Sequence, residues 1–322
     1  MKAIVQEGAG SADVLHLREI DMPVVTDDLV RVRVRAASVN ALDSHIVHGG
    51  RLVRVVAFLL RSPVSPVRGV DVAGHVDAVG KNVKRLRVGD EVFGVARGTF
   101  AEYATTREDR LAPKPRRVSF AQAAAIGIAG VTALQGLRDG GQVRPGQRVL
   151  IYGAGGGVGT FAVQIAKALG AHVTAVTGTR NLDVIRSIGA DAIIDRTRED
   201  VTQSGQRYDV VFDVAADRSI AECRRLLEPH GKLVLAGGAK SGRIAALSRG
   251  LWAIVRSRLG SKWLVPLLAR ARYEDLVALK DLIDADKLCP VIDREYTLSD
   301  AAEAVRYVGS GHARAKVVIN VA

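Results

Sequence analysis

An α/β fold of two domains, a β-barrel and a doubly wound parallel sheet, is predicted by three features of the 322-residue sequence. Short β-like segments separated by glycines fill residues 1–120, and strands alternate with helices from about residue 121. At residues 149–159 an apolar strand runs into a glycine-rich turn. Alternating strands and helices indicate a parallel sheet wrapped by right-handed crossovers.

The first domain is predicted from segments with period-two alternation that end at turn residues. They lie at residues 3–5, 29–34, 70–79, 91–94 and 100–105, and they favour a compact antiparallel barrel. Strand character returns at residues 291–292 and 314–319, so we expect the tail to rejoin this domain. The predicted bounds are 1–120 with 287–322 for the barrel domain, and 121–286 for the parallel-sheet domain.

The glycine-rich turn predicts a dinucleotide cradle. The strand at 149–152 is followed by Gly153 and by Ala154, Gly155, Gly156, Gly157, Val158 and Gly159, and a helical run then spans 161–169. Glycines allow a sharp turn and a close backbone approach to a pyrophosphate. Free amide donors and the helix dipole favour the negative charge of that group.

The second strand, residues 172–176, predicts which dinucleotide is bound. An NAD site usually places an acid at its end, about twenty residues past the turn, but this chain has Thr177, Gly178, Thr179 and Arg180. Because Arg180 offers a fork of donors to a 2′-phosphate, NADPH is favoured over NADH. The alternative is that Arg180 lies at the start of the next helix, faces solvent and does not contact the cofactor.

Three later strands are expected at residues 192–194, 209–212 and 232–236. The last of them ends in Gly237 and Gly238, where a cofactor could again touch the backbone.

Composition excludes several classes of protein. The 46 lysines and arginines exceed the 34 acidic residues by 12, but they form no dense block, so a nucleic-acid partner is not expected. Cys223 and Cys289 are too few for a disulfide framework or a four-cysteine zinc lobe. No apolar run approaches a bilayer span and no signal core follows Met1, which predicts a cytoplasmic protein.

Two segments leave alternatives open. Residues 240–272 interleave arginines with large apolar residues, and they form either a packed insertion or an interfacial segment or substrate lid. The apolar residues 51–66 either roof a hydrophobic substrate pocket or pack on the barrel.

Several motifs resemble, in this order, the zinc-free quinone oxidoreductase branch of the medium-chain dehydrogenase/reductase superfamily. They are residues 37–43 (ASVNALD), 69–74 (GVDVAG), 88–94 (VGDEVFG), 100–103 (FAEY), the glycine turn and 311–318 (GHARAKVV). The resemblance implies a GroES-like catalytic domain, a Rossmann domain, frequent homodimers and a nicotinamide bound between the domains. Zinc-dependent members of the superfamily have a cysteine and a histidine as zinc ligands where this chain has Asn40 and Val70, so zinc catalysis is not expected.

The resemblance also implies roles for individual residues. Asn40 is expected to be catalytic and to contact the nicotinamide or the substrate oxygen, with closure of its own turn as the alternative. Asp43 is expected to orient this loop or to cap the following helix. Thr132 matches a position that can contact the cofactor, with a helix-start role as the alternative. Arg196 replaces a tyrosine of many relatives and either adds charge beside Arg180 or faces solvent.

Other polar residues near these motifs are expected to be structural. His45 and His48 are possible proton donors, although an exposed or structural role is favoured for both. Tyr152 is expected to pack at the end of its strand. Ala41 stands where the family usually has proline, so the Asn40 loop is less restrained in φ.

The first functional hypothesis is a zinc-independent reductase that transfers hydride from NADPH to a quinone or an α,β-unsaturated carbonyl. The alternatives are an NADP-dependent alcohol or ketone oxidoreductase, and a non-catalytic, NADPH-binding protein associated with RNA.

Overall fold

The computed structural model describes residues 1–8, 10–48, 65–236 and 263–321. The chain forms two compact units, one of Met1–Ala129, Ala271–Asp284 and Pro290–Ala322, the other of Gly130–Arg270 and Ala285–Cys289. The predicted domain bounds stay a prediction.

The first unit is built on β-strands. Strands are numbered in chain order, and this unit contains β1 (Lys2–Gln6), β2 (Leu15–Glu19), β3 (Leu29–Val39), β4 (Asp71–Val79), β5 (Glu91–Val95), β6 (Tyr103–Arg107), β7 (Leu111–Pro113), β14 (Ile292–Thr297) and β15 (Lys316–Asn320). Strands β1 and β2 form a hairpin. The other seven form one sheet in the order β14-β15-β3-β4-β5-β7, with β6 also paired to β3.

Strand β3 illustrates why these residues form a sheet. Val30, Val32 and Val34 are buried, whereas Arg33 and Arg35 between and after them are exposed. The period of two puts the valines on the core face and the arginines in solvent.

The tail of the chain returns to this sheet as predicted. Strand β15 is antiparallel to β3, with Val317 opposite Val39, and it is parallel to β14. The strands within residues 1–120 pair antiparallel, as expected for that range. Strands β14 and β15 are parallel, because a helix at Ala301–Gly309 carries the chain back from β14 to β15 and a crossover of this kind joins parallel strands.

The second unit contains a parallel sheet of six strands, which confirms the predicted doubly wound architecture. They are β8 (Arg148–Tyr152), β9 (His172–Thr177), β10 (Ala192–Asp195), β11 (Tyr208–Asp213), β12 (Leu227–Leu235) and β13 (Leu264–Pro266). Their order is β10-β9-β8-β11-β12-β13, which reverses direction at β8, where dinucleotides bind in folds of this kind. Apolar side chains of β8, β11 and β12, including Leu150, Val211 and Leu233, form the core beside it.

The described α-helices are α1 (residues 41–48), α2 (Phe120–Ala124), α3 (Gly127–Leu134), α4 (Gly157–Ala168), α5 (Leu182–Ser187), α6 (Ile220–Arg225), α7 (Tyr273–Asp284) and α8 (Ala301–Gly309), and a π-helix (Gln135–Gly141) follows α3. Within the part of the chain that the structure describes, none of them is long and apolar enough to cross a membrane.

Candidate functional site

Asn40 lies between the end of β3 and the start of α1. Its backbone N–H donates to Asp43 Oδ2 at 2.8 Å, and the Asp43 N–H donates to the Asn40 carbonyl oxygen at 3.0 Å. The Asp43 carboxylate therefore closes the first turn of α1, where an acceptor satisfies a free donor. Asp43 is buried, while Asn40 keeps part of its side chain accessible.

The Asn40 side chain belongs to a buried polar cluster with Asp71 and Lys316. Asn40 Nδ2 donates to Asp71 Oδ2 at 2.9 Å, and Lys316 Nζ donates to Asn40 Oδ1 at 2.8 Å. Lys316 Nζ also lies 3.2 Å from Asp71 Oδ2, and both charged side chains are buried. Both ends of the amide therefore have a charged partner.

Burial controls the protonation of Asp43. Loss of hydration raises the pKa of its carboxyl group to about 7, because a buried charge is poorly solvated. The hydrogen bond from Asn40 opposes this rise, the negative charge of Asp71 adds to it, and the positive charges of Lys316 and Arg68 oppose it. Asp43 is thus a carboxyl group that changes its charge near neutral pH.

In the second unit, the glycine turn follows β8 as predicted. Gly153 has φ +89°, which favours glycine, and Gly156 is the N-cap of α4. No side chain caps this helix, so the amide donors of its first turn are left for another partner. Gly156, Gly157 and Val158 are partly accessible, whereas Ala154, Gly155 and Gly159 are buried within the turn.

The buried glycines of the turn serve packing. A Cβ on Gly159 would lie 2.3 Å from the Gly153 carbonyl oxygen, and one on Gly155 would lie 2.2 Å from Asn181 Nδ2. Beside Gly156, the nearest atom to such a Cβ is 3.6 Å away. The open side of the turn is therefore at Gly156.

The end of β9 holds the residues expected to select the cofactor. Thr177 is buried, Gly178 is partly accessible, and Thr179 and Arg180 are exposed. Arg196 follows β10, and its side chain is half exposed and 3.7 Å from Asp217. Arg180 and Arg196 lie at the ends of neighbouring strands, because β9 and β10 are paired in parallel.

A carboxylate that the sequence did not point to lies beside these residues. Asp195, at the end of β10, accepts from Thr179 Oγ1 at 2.6 Å and from the Thr197 N–H at 3.0 Å. The hydrogen bond from Thr179, followed by that from Thr197, holds the pKa of Asp195 below its ordinary value. The parallel order of the strands was the available signal, because their carboxyl ends meet at one edge.

The structure also gives the positions of the threonine, histidine and tyrosine residues named in the sequence analysis. Thr132 is buried in the middle of α3, so the helix-start alternative is wrong, because the helix begins five residues earlier. His45 and His48 are exposed on α1, and His48 Nδ1 lies 2.7 Å from the Ser44 carbonyl oxygen. Tyr152 is buried and accepts from Arg218 Nε at 3.1 Å, which fits the expected packing role.

Some expectations concern residues outside those described. Gly237 and Gly238, residues 51–64 of the apolar segment and residues 240–262 of the basic segment all lie outside the described ranges. Within the described ranges, no group of three or more His, Cys, Asp and Glu side chains could hold a metal ion.

Two family models match this chain. Residues 26–116 match the model described as alcohol dehydrogenase GroES-like domain, and residues 188–319 match the model described as zinc-binding dehydrogenase.

Curated relatives and solved structures match almost the whole chain. A chloroplast envelope quinone oxidoreductase homolog of Arabidopsis thaliana is 33% identical over 97% of this chain and 95% of its own length. An NADPH-dependent alkenal/one oxidoreductase of the same plant is 32% identical over 99% of this chain and 79% of its own length. The quinone oxidoreductase structure from Coxiella burnetii has a TM-score of 0.87 and 29% identity, and the match covers 100% of this chain and 99% of that one.

Proposed function

Because this chain belongs to the quinone oxidoreductase-like branch of the medium-chain dehydrogenase/reductase superfamily, we propose that it reduces quinones or α,β-unsaturated carbonyls with NADPH and without zinc. The observation that carries this proposal is the uncapped first turn of α4 with open space beside Gly156. It supplies amide donors where a cofactor phosphate needs them.

The residues of the turn fit a dinucleotide. The amides of Gly157 and Val158 would hold the pyrophosphate, and Gly156 allows it to approach the backbone. Asn181 Oδ1 is buried without a hydrogen-bond partner near this turn, so an acceptor is left for a hydroxyl group of the cofactor. When bound, NADPH supplies the hydride.

The preference for NADPH is assigned to Arg180, with Arg196 in support. Arg180 is exposed and carries a fork of donors that suits a 2′-phosphate. Asp195 is an opposing charge, and its oxygens accept hydrogen bonds from Thr179 and Thr197 while Arg198 Nε lies 3.9 Å from its Oδ2. The exposed guanidinium of Arg180 is therefore the feature that supports the phosphorylated cofactor.

Asn40 is the polar group that we assign to the oxygen of the acceptor. Hydride addition to a quinone or an enone moves negative charge onto oxygen, and a fixed N–H donor lowers the energy of that state. Asp43 orients the Asn40 backbone, and Thr132 is assigned to cofactor contact. Asp43, whose pKa is raised to about 7, also holds a proton below neutral pH.

Zinc does not fit the residues of the Asn40 cluster. The amide of Asn40 is a poor zinc ligand compared with a thiolate or an imidazole. The Lys316 ammonium group, 2.8 Å from Asn40 Oδ1, also opposes a second cation there. We therefore derive no step through a metal.

The test is NADPH oxidation by the purified protein with quinones, enones and ketones, and NADP+ reduction with alcohols, each before and after dialysis with a chelator. Chelator-resistant turnover with quinones or enones is expected. Turnover confined to alcohols and ketones would instead select the alternative, an NADP-dependent alcohol or ketone oxidoreductase. Homodimer formation and a cytoplasmic location stay predictions, and light scattering of the purified protein tests the first.

A further inference from the structure

We propose that Lys316 and Asp71 are positioning residues that fix the Asn40 amide in one orientation and so decide which of its groups faces a ligand. This inference rests on the proposed function, in which Asn40 donates to the acceptor oxygen. From the sequence, neither residue has an assigned role; each only lies within one of the motifs that resemble the family.

The partners of Asn40 distinguish the two ends of its amide. An ammonium group only donates and a carboxylate only accepts, so Lys316 selects Oδ1 and Asp71 selects Nδ2. Rotating the amide by half a turn would face NH2 toward the ammonium and oxygen toward the carboxylate. Because both contacts would then be repulsive, one orientation is fixed, and the second Nδ2 hydrogen remains as the available donor.

The sheet register brings the three side chains together. Asp71 begins β4 opposite Ser38 of β3, and Lys316 begins β15, whose next residue is opposite Val39. Asn40 directly follows β3. The three residues therefore lie at one end of three adjacent strands, although Lys316 is 276 positions from Asn40 in the chain.

Asp71 is itself held in place by further donors. Its Oδ2 accepts from Ser38 Oγ at 2.6 Å, and its Oδ1 accepts from the Ile128 N–H at 2.8 Å. A Cβ at Gly127 would lie 2.2 Å from Asp71 Oδ1, so only glycine lets the start of α3 approach this carboxylate. With Lys316 and Asp71 at 2% and 0% side-chain exposure, neither partner has room to turn away.

Stability alone is a weak reason for such a pair. The desolvation of two charges offsets much of their attraction, and well-packed apolar residues often replace a buried ion pair without loss of stability. A role in orienting Asn40 explains why the charges are placed at the two ends of one amide.

A double-mutant cycle tests the proposal. We expect Lys316→Met and Asn40→Ala each to lower kcat for the acceptor roughly 10- to 100-fold, the scale of a misplaced reacting group. The double variant should be no slower than Asn40→Ala alone, because Lys316 acts through Asn40. Multiplied losses would overturn the proposal. Lys280→Met is the matched control, because Lys280 is a partly buried lysine paired with Asp284 and should keep wild-type kcat.

A second measurement needs no turnover. The two side-chain amide protons of Asn40, assigned by their loss in Asn40→Ala, should give dispersed NMR signals in the ligand-free protein. Lys316→Met should shift both signals, whereas Lys280→Met should shift neither. Unchanged Asn40 signals in Lys316→Met would contradict the proposal, even if the protein reduces no quinone or enone. A failure of the proposed function is thus distinguishable from a failure of this inference.

Misfolding of Lys316→Met does not remove the test. The Lys316→Met/Asp71→Asn variant leaves no unpaired charge in the interior and keeps an acceptor for Asn40 Nδ2. It should fold and still show altered Asn40 signals with reduced kcat. Wild-type values of both would overturn the proposal.

Discussion

Asp43 is a residue whose side-chain chemistry the fold alters strongly. Asp43 is 1% exposed and its carboxyl group accepts the Asn40 N–H, so the group whose pKa burial raises also holds the start of α1. Nearby charges on Asp71, Lys316 and Arg68 partly cancel each other. Desolvation is therefore the dominant cause.

The raised pKa predicts how stability depends on pH. Between about pH 4 and pH 7 the folded chain keeps a proton on Asp43 that the unfolded chain releases. This residue's contribution to the free energy of unfolding is thus fully present below about pH 4. It is lost at up to roughly 1.4 kcal/mol per pH unit as pH rises through 7.

Asp43→Asn isolates this contribution, because asparagine keeps an acceptor for the Asn40 N–H but does not titrate. Relative to wild type, the variant should gain stability as pH rises from 5 to 7 and hold a constant difference above about pH 8. Urea unfolding across this range measures it. Asp183→Asn, at a side chain that is 99% exposed, is the control. A difference that does not change with pH would contradict the assigned cause.

Arg180 is expected to set the cofactor preference. Arg180→Gln should raise the KM for NADPH about tenfold or more, the scale of a charge-assisted hydrogen bond, with little change for NADH. Asp195→Asn should act in the opposite direction by removing a negative charge beside Thr179. Steady-state kinetics with both cofactors measure this, with Arg186→Gln as an exposed control in the same unit. No change with either cofactor would mean that Arg180 only faces solvent, and equal losses with both would mean that it does not recognise the 2′-phosphate.

At the scale of elements, the turn between β8 and α4 separates a packing role from a binding role. Gly159 faces backbone atoms of the turn, whereas Gly156 faces open space. From the sequence, both glycines are expected to serve the binding of one cofactor. In the structure, Gly159 is required by packing within the turn, whereas Gly156 leaves space for a ligand.

Two alanine variants should therefore behave differently. Gly159→Ala forces a Cβ to 2.3 Å from the Gly153 carbonyl oxygen and should lower the free energy of unfolding by about 1–3 kcal/mol. Gly156→Ala should change the free energy of unfolding by less than about 1 kcal/mol. It should nevertheless weaken NADPH binding, because the added methyl group occupies the space where the phosphate approaches the backbone. Thermal unfolding and calorimetry separate the two effects. Wild-type affinity in Gly156→Ala would place the pyrophosphate elsewhere.

The pattern of apolar residues along the sequence was sufficient to predict strands such as β8 and β9. It was insufficient to predict the side-chain contacts of the candidate site. The runs at 149–152 and 172–176 become β8 and β9 within one residue at an end, because each strand is defined by its own apolar side chains. The Lys316–Asn40 and Thr179–Asp195 contacts join residues 276 and 16 positions apart. Only strand pairing brings them together, so spacing along the chain could not reveal either contact.

At the scale of the whole molecule, the excess of 12 positive charges is the feature that the two sheets do not explain. Many of the described arginines and lysines are paired with acids at the surface, as Arg18 is with Glu7 and Lys167 with Asp191. Pairs of this kind contribute little to stability, and each has no net charge, so the excess of 12 positive charges remains. The field of this excess attracts any polyanion without selecting one.

RNA binding should accordingly be weak and should disappear with salt. Binding that depends on counterion release loses a factor of about 1,000 or more between 50 and 200 mM salt when six to ten phosphates are contacted. A gel shift seen at the lower salt concentration should therefore be absent at the higher one, while NADPH-dependent turnover persists. The alternative, a non-catalytic protein associated with RNA, requires the reverse: a shift that survives 200 mM salt and no turnover with any quinone or enone. Because a diffuse field cannot produce salt-resistant binding, that pair of results would require a specific RNA surface on this chain.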